Sequence, residues 1–480
     1  MILPPDDPAD LELPPEVMRA MGQAALERVV DFIASLPYQG ACGDIHAEEL
    51  CRALRERAPE HGVPISELLD RLFHDWIPRS FNTAGPGYLA YIPGGGIFPA
   101  ALADLIADGT NRYTGIWQAA PALVQLETNV LDWFRDWMGF PSTTRGLFTT
   151  GGSMSVFNAV LCARERQLGT DIRSGVLYTS NQAHAAVVKS AKLAGIFPDR
   201  VRLVSVDSQF RMRFDDLGDQ IARDRRAGLR PFLVVSTAGS TNTGAVDPLE
   251  TIADLCEREG LWHHVDGAYG AFFHLVEPLR PLLAGLSRAD SLTLDPHKGL
   301  FLPYGTGALL VRDGAALRAV HQVHASYMPP AVDQEFYDPA QYGPELSRGF
   351  PGLRVWLTIK TFGAARIRTA IAEKRALAVA AAERLAGVPG INLVAPPQLS
   401  LLAFCVEPTG SSLLEQNKAT SRLLERVNAR RRVMLTGCTV DGRFLARLCV
   451  MSFRTRERHV ELAVDQIIEE AAGILAEDAR

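Results

Sequence analysis

From about residue 145 to residue 313 the chain alternates short apolar runs with longer amphipathic stretches, and this constrains its fold more than any other feature. The runs are GVLYTS (175–180), VRLVSV (201–206), PFLVVSTAG (231–239), LWHHVDGAY (261–269), SLTLDP (291–296) and GALLVRD (307–313). Their length and their valine and leucine content suit buried strands. Between them lie SMSVFNAVLCARERQL, AHAAVVKSAKLAG, FDDLGDQIARDRRAG and PLETIADLCEREG, which read as helices. Alternation of this kind predicts an α/β fold with a mostly parallel sheet covered on both faces. After about residue 365 the order changes. A helical stretch, TAIAEKRALAVAAAERLAG, precedes strands near LSLLAFCVEP and FLARLCVMSF and a closing helix from about Glu457. A smaller C-terminal α+β domain is expected there.

Before the alternating region, Met18, Met21, Ala25, Val29, Phe32, Ile33 and Leu36 recur at mostly three- and four-residue steps, as on one face of an amphipathic helix. That face can cover the chain's own core or a partner subunit. Segment 328–345 has neither helical nor strand period and carries four prolines; a loop that long is usually functional.

The 480 residues are enough for about two to four domains. The net charge of -6 comes from 49 basic and 55 acidic residues with no basic block, which argues against nucleic acid as a partner. Seven scattered cysteines form no C-x-x-C, so neither a disulfide framework nor a zinc or other metal site is expected. No apolar run reaches the ~18 residues of a membrane helix. The opening MILPPDDPADLELPPE lacks the basic and apolar regions of a signal peptide. A cytoplasmic protein is expected, with no membrane partner.

Four stretches at strand ends share a chemical theme. FTTGGSMS (148–155) places Gly151, Gly152 and Ser153 at a strand-to-helix junction, where bare amides can hold a phosphate. NQAHAAVV puts His184 near a helix start. HHVDGAYG delivers Asp266 from an apolar strand, followed by the small Gly267 and Ala268. An acid so placed is either satisfied by backbone donors or paired with a cation such as a protonated heterocycle. LDPHKG supplies Lys298, an amine able to form a Schiff base. Taken singly, each reads as structure: a turn, a capping histidine, a satisfied acid, a solvated lysine. Together they supply a phosphate cradle, a stacking ring, an acid for a ring nitrogen and a carbonyl-trapping amine, the set that pyridoxal 5′-phosphate requires.

In these motifs the chain resembles the group II pyridoxal-phosphate-dependent amino-acid decarboxylases, which act on aromatic L-amino acids, histidine or glutamate. The similarity runs through GYLAYIPGGG, WQAAPALVQLE, FTTGGSMS, NQAH, STAGSTNTGAVDP, HVDGAYGA, LDPHK, ELSRGF with RVW, and FLARLCVMSFRT. It implies the aspartate-aminotransferase-like fold type I and a homodimer with active sites at the interface. The expected organisation is a helical dimerisation segment at 1–82, a large cofactor-binding domain at 83–364 and a small domain at 365–480.

By the same resemblance, Lys298 is the Schiff-base lysine and Asp266 the partner of the pyridine nitrogen. His184 stacks on the ring, Ala268 covers its other face and Thr237 lies close by. Gly151, Gly152, Ser153 and His297 match phosphate-binding positions, with Asp295 adjoining. Tyr327 matches the tyrosine of a mobile loop that protonates the carbanion carbon. Tyr91, Ile92, Trp117 and Ser347 fall at substrate positions, and Tyr113 where a partner subunit contributes. The implied reaction is decarboxylation to an amine through a Lys298 aldimine and a quinonoid intermediate.

The chain departs from the pattern at Gly299, often tryptophan in relatives, and at Val156, often asparagine. An aldehyde-forming decarboxylase and a carbon–sulfur lyase share the scaffold. Tyr327 with His184 favours simple decarboxylation over the first, and 328–345 has no cysteine for a desulfurase-like second. Retention of Lys298, Asp266 and Tyr327 argues against a non-catalytic binding homologue. A dinucleotide-binding dehydrogenase would need G-x-G-x-x-G, which FTTGGSMS does not match.

Overall fold

The structure, a computed structural model, describes residues 11–43, 47–323, 326 and 335–478. Seven strands build the larger sheet: β1 (Arg145–Thr149), β2 (Gly175–Ser180), β3 (Val201–Val204), β4 (Arg230–Thr237), β5 (Trp262–Asp266), β6 (Ser291–Leu294) and β7 (Gly307–Val311). Their spatial order is β1-β7-β6-β5-β4-β2-β3. β3, β2, β4, β5 and β6 are mutually parallel. Strands β2, β5, β6 and β7 are buried along their whole length, as a sheet covered on both faces requires.

One strand departs from the parallel expectation. β7 runs antiparallel to both β6 and β1. Only residues 295–306 separate β6 from β7, and they hold a single helical turn, Pro296–Gly299. A parallel return usually runs through a full covering helix, which this connection does not contain. The chain therefore doubles back, and the start of β7 lies at the edge where β4, β5 and β6 end.

The smaller sheet contains β8 (Ile391–Leu393), β9 (Leu401–Val406), β10 (Thr436–Val440) and β11 (Arg443–Cys449), in the order β10-β11-β9-β8 and antiparallel throughout. β10 and β11 are joined by Asp441 and Gly442, with φ of +48° and +78°. A two-residue turn of this hand needs positive φ at both positions, which Asp-Gly tolerates best. Helix Ala364–Ala386 links the two cores: Ile367 and Ile371 enter the larger, Ala378, Ala382 and Leu385 the smaller. The segment around Leu89 does likewise, donating to Met434 O (3.0 Å) and accepting from Cys449 N (2.9 Å).

Helix Pro15–Ser35 buries none of its side chains, and Met18, Leu26 and Val30 stand exposed. It touches its own chain through the Arg28–Asp70 ion pair (2.6 Å) and an edge contact of Phe32 with Phe73. No helix of the described residues is long and apolar enough to cross a membrane.

Candidate active site

The ends of β4, β5 and β6 deliver Thr237, Asp266 and Asp295 to one edge of the sheet. β1 points the same way and runs into the turn Thr150–Ser153 and helix Gly152–Leu168. Thr149 shapes that turn, its hydroxyl accepting from Gly151 N (3.3 Å) and meeting Ser155 Oγ at 2.8 Å. Gly151 has φ +148°, a conformation other residues rarely adopt. A Cβ on Gly152 would stand 3.1 Å from both Ala268 Cβ and Asp295 Oδ2, so the space above the turn depends on glycine. All ten expected cofactor positions (Gly151, Gly152, Ser153, His184, Thr237, Asp266, Ala268, Asp295, His297 and Lys298) line a single cavity of about 340 Å3.

Charge in the cavity is arranged in buried pairs. Lys298 Nζ lies 2.8 Å from Asp295 Oδ2. Burial works against the Lys298 ammonium, yet Asp295 and then Asp266 outweigh it and raise its pKa above the ordinary lysine value. Asp266 accepts from Ala268 N (3.2 Å). Its burial pushes the carboxyl pKa up, with Lys298 pulling the other way. Such an acid gains from any cation brought beside it. His184 accepts from Ala186 N through Nδ1 (3.2 Å), which leaves Nε2 to carry the proton of the neutral ring.

Behind this layer the buried polar groups act as scaffold. His263 meets Ser236 at 2.8 Å, and His264 meets Ser291 at 2.9 Å and Thr293 at 3.2 Å. Burial drives both histidine pKa values down to about 3, so both are neutral. Asp247 accepts from Thr237 N and Met212 N, each 2.7 Å, and so fixes the end of β4. Burial raises its pKa to about 6. The folded protein then keeps a proton on Asp247 that the unfolded chain loses near pH 4. Its contribution to stability is complete below about pH 4 and is lost as pH rises to about 6. Two pKa units correspond to about 3 kcal/mol. Thermal melts of Asp247→Asn should lack this fall between pH 4 and 6, whereas the parent shows it.

The expected substrate residues divide into two groups, neither lining the Lys298 cavity of its own chain. Tyr91 (φ +53°) and Ile92 are tied to its rim. Arg447 Nη2 donates to Tyr91 O (3.3 Å) and to Thr241 O, and Thr241 lines the cavity. Tyr113, Trp117 and Ser347 gather elsewhere. Tyr113 donates to Leu346 O (2.8 Å) beside Ser347, while Trp117 stacks on Phe336 at 4.2 Å. Tyr327 lies outside the described residues.

Several cavity residues escape the strand-end logic: Thr150, Thr241, Tyr304 and Gly305. Tyr304 accepts from Gly94 N (3.4 Å), and its ring lies 5.8 Å from that of His297. Tyr304 and Gly305 precede β7, whose start would face away if that strand were parallel. The absence of a crossover helix in 295–306 is the signal that places them at the site.

Two quoted motifs also meet. Glu127, ending WQAAPALVQLE, pairs with Arg348 of ELSRGF at 2.6 Å and accepts from Gly352 N (3.1 Å). The side chains are 1% and 5% exposed. Removing one partner of a buried pair leaves an uncompensated charge, costing about 3–5 kcal/mol. Glu127→Ala should show that loss in denaturant melts. At Gly299 the missing side chain is replaced by Phe272, whose Cβ would lie 2.6 Å from an added Cβ. Val156 is wholly buried in the core, and Asn158 donates to Met154 O (2.7 Å).

The cavity suits pyridoxal 5′-phosphate. Thr237 Oγ1 and Asp295 Oδ1 are buried with no hydrogen-bond partner, and the glycine turn leaves space for an anion beside exposed amides. A buried acid and an amine complete the set. The Pyridoxal-dependent decarboxylase conserved domain matches residues 48–407. An aromatic-L-amino-acid decarboxylase of Bacillus atrophaeus is 34% identical over 93% of this chain and 94% of its own length. The crystal structure of Oryza sativa TDC with PLP and tryptamine is similar with a TM-score of 0.93 at 25% identity, covering 97% of this chain and 100% of that one. Rhodiola rosea 4-hydroxyphenylacetaldehyde synthase gives a TM-score of 0.89 at 26% identity, covering 98% and 100%. With lysine, acid and glycine turn converging on one cavity, the chain belongs to the pyridoxal-dependent decarboxylase family.

Proposed function

We propose that this family member converts an aromatic L-amino acid into the corresponding amine and CO2. The observation that carries the proposal is Lys298 and Asp266 facing one cavity beside the glycine turn. The aromatic class is supported by the Bacillus atrophaeus relative and by the tryptamine in the Oryza sativa structure.

Bound pyridoxal phosphate supplies a carbonyl that captures amines and a conjugated ring that accepts the electrons left when CO2 departs. Lys298 would hold the cofactor through its side-chain amine. Asp266 keeps a proton on the ring nitrogen by setting a negative charge where water cannot screen it. The amides of Gly152 and Ser153 would take the phosphate, with Gly151 and His297 lining the same part of the cavity. His184 and Ala268 would cover the two ring faces, and Thr237 would offer its hydroxyl. Tyr327 delivers a proton to the substrate α-carbon as general acid.

That proton separates amine from aldehyde as product. Tyr327→Phe should lower amine formation by about 10^2-fold or more and divert substrate to aldehyde and ammonia. Full amine yield from this variant would remove Tyr327 from the mechanism.

The second copy of a homodimer would bring Tyr113, Trp117 and Ser347 to the site and cover the apolar face of helix Pro15–Ser35. In the family that this chain resembles, the loop carrying the tyrosine reaches the neighbouring subunit's site, so mixing Lys298→Ala and Tyr327→Phe proteins should restore amine formation through hybrid dimers. The seven unpaired cysteines suit a reducing cytoplasm. The function is tested by a mass-spectrometric product screen with L-tryptophan, L-tyrosine, L-phenylalanine, L-DOPA, L-histidine and L-glutamate. Amines from the aromatic acids support the proposal. Amine from glutamate or histidine alone would replace its substrate class.

A further inference from the structure

Asp295 is the least explained group in the cavity. It is 1% exposed, one oxygen faces Lys298 Nζ at 2.8 Å, and the other has no partner. His297 Nε2 lies 3.5 Å away but cannot serve it as a donor. His297 Nδ1 is 2.7 Å from Thr306 O, and a carbonyl only accepts, so Nδ1 carries the proton. Burial lowers the His297 pKa and keeps the ring singly protonated at neutral pH. Lys298 is therefore the one cationic donor that Asp295 has among the described residues.

A buried carboxylate whose single hydrogen-bonding partner is an ammonium opposes loss of that ammonium's proton. Yet an ammonium has no lone pair, and Lys298 must lose a proton before its nitrogen can attack an aldehyde. We propose that Asp295 is a positioning residue that docks the Lys298 amine as an ammonium, and so sets the pH at which that amine becomes free to capture a carbonyl. Asp295 also receives the lysine again each time a substrate amine takes its place. The proposal rests on the cofactor reading of the cavity for its purpose, but the contact it names belongs to the protein alone.

Other groups face Lys298 and share its field. Asp266 approaches from the end of β5, Tyr304 from the loop before β7 and the Cys449 thiol from β11, while His184, from the loop after β2, acts on Asp266. Asp266 alone among these adds a second negative charge, which makes Asp266→Asn the proper control.

The test uses the full-length protein without cofactor. Lys298, whose side chain is 23% exposed, is labelled with trinitrobenzenesulfonate across a pH series and its peptide quantified by mass spectrometry. Condensation with pyridoxal phosphate, which joins the lysine nitrogen to the aldehyde carbon and releases water, is followed by absorbance in parallel. Asp295→Asn should lower the labelling midpoint by at least about one pH unit, equivalent to about tenfold faster labelling at neutral pH. The shift should exceed that of Asp266→Asn. Should Asp295→Asn fail to fold, as judged by its melt, Asp295→Ser serves in its place. A midpoint equal to the parent's, or a larger shift from Asp266→Asn, overturns the proposal. A shifted labelling midpoint with no condensation would uphold the docking role and reject the cofactor assignment instead.

Discussion

Lys298→Ala, incubated with pyridoxal phosphate and an aromatic L-amino acid, should form no amine above background, a loss of at least about 10^3-fold. No other described side chain in the cavity carries an amine. Asp295, Asp266 and His184 can bind or orient, but none can condense with a carbonyl. Lysine removal also leaves Asp295 without its ammonium, so a destabilised protein could give the same null result. Lys298→Arg separates these effects: it keeps a cation beside Asp295 yet cannot condense. It should fold and melt near the parent and remain inactive. Amine formation by either variant, measured by mass spectrometry, would remove Lys298 from the chemistry.

Asp266→Asn is expected to have the next largest effect. Its carboxylate ends β5 in a buried position, with backbone register fixed by Thr237 on one side and Thr293 on the other. An opposite charge at about 4 Å, in an effective dielectric of about 20, is worth about 4 kcal/mol. Asparagine keeps the shape and loses that attraction. Protonation of the cofactor nitrogen at neutral pH should fail, and turnover should fall by about 10^3-fold. The apoprotein should melt at least as high as the parent, since burial already disfavours the Asp266 charge. Single-turnover kinetics on the loaded variant give the size of the loss, and a change below about tenfold would assign the role elsewhere.

The fold and the cofactor wall were legible because they follow local rules. Valine- and leucine-rich runs separated by amphipathic stretches dictate buried strands and covering helices. Taken singly, Asp266 and Lys298 read as a satisfied acid and a solvated lysine; the set of strand-end residues marks the site, and their convergence follows from the common direction of β4, β5 and β6. Reversal of β7 follows from the lack of a crossover helix in 295–306 and not from any apolar period, so strand-end reasoning does not reach Tyr304 and Gly305. The Glu127–Arg348 pair joins residues 221 positions apart, and no periodicity links them. Gly299 departs from the family pattern in sequence, and only the packing shows that Phe272, from the helical turn after β5, occupies the place of its side chain. Tyr113, Trp117 and Ser347 do not line the Lys298 cavity of their own chain, and no local pattern in the sequence gives their distance from it.

Decarboxylation to an amine fixes the stoichiometry of the products. Protein loaded with pyridoxal phosphate is given L-tryptophan labelled with 13C in its carboxyl group, in deuterated water. Labelled CO2, amine and ammonia are then counted together. One CO2 and one amine per substrate consumed, with one solvent deuteron on the α-carbon and no ammonia, is the predicted result. CO2 with aldehyde and ammonia, or substrate loss without CO2, would contradict it.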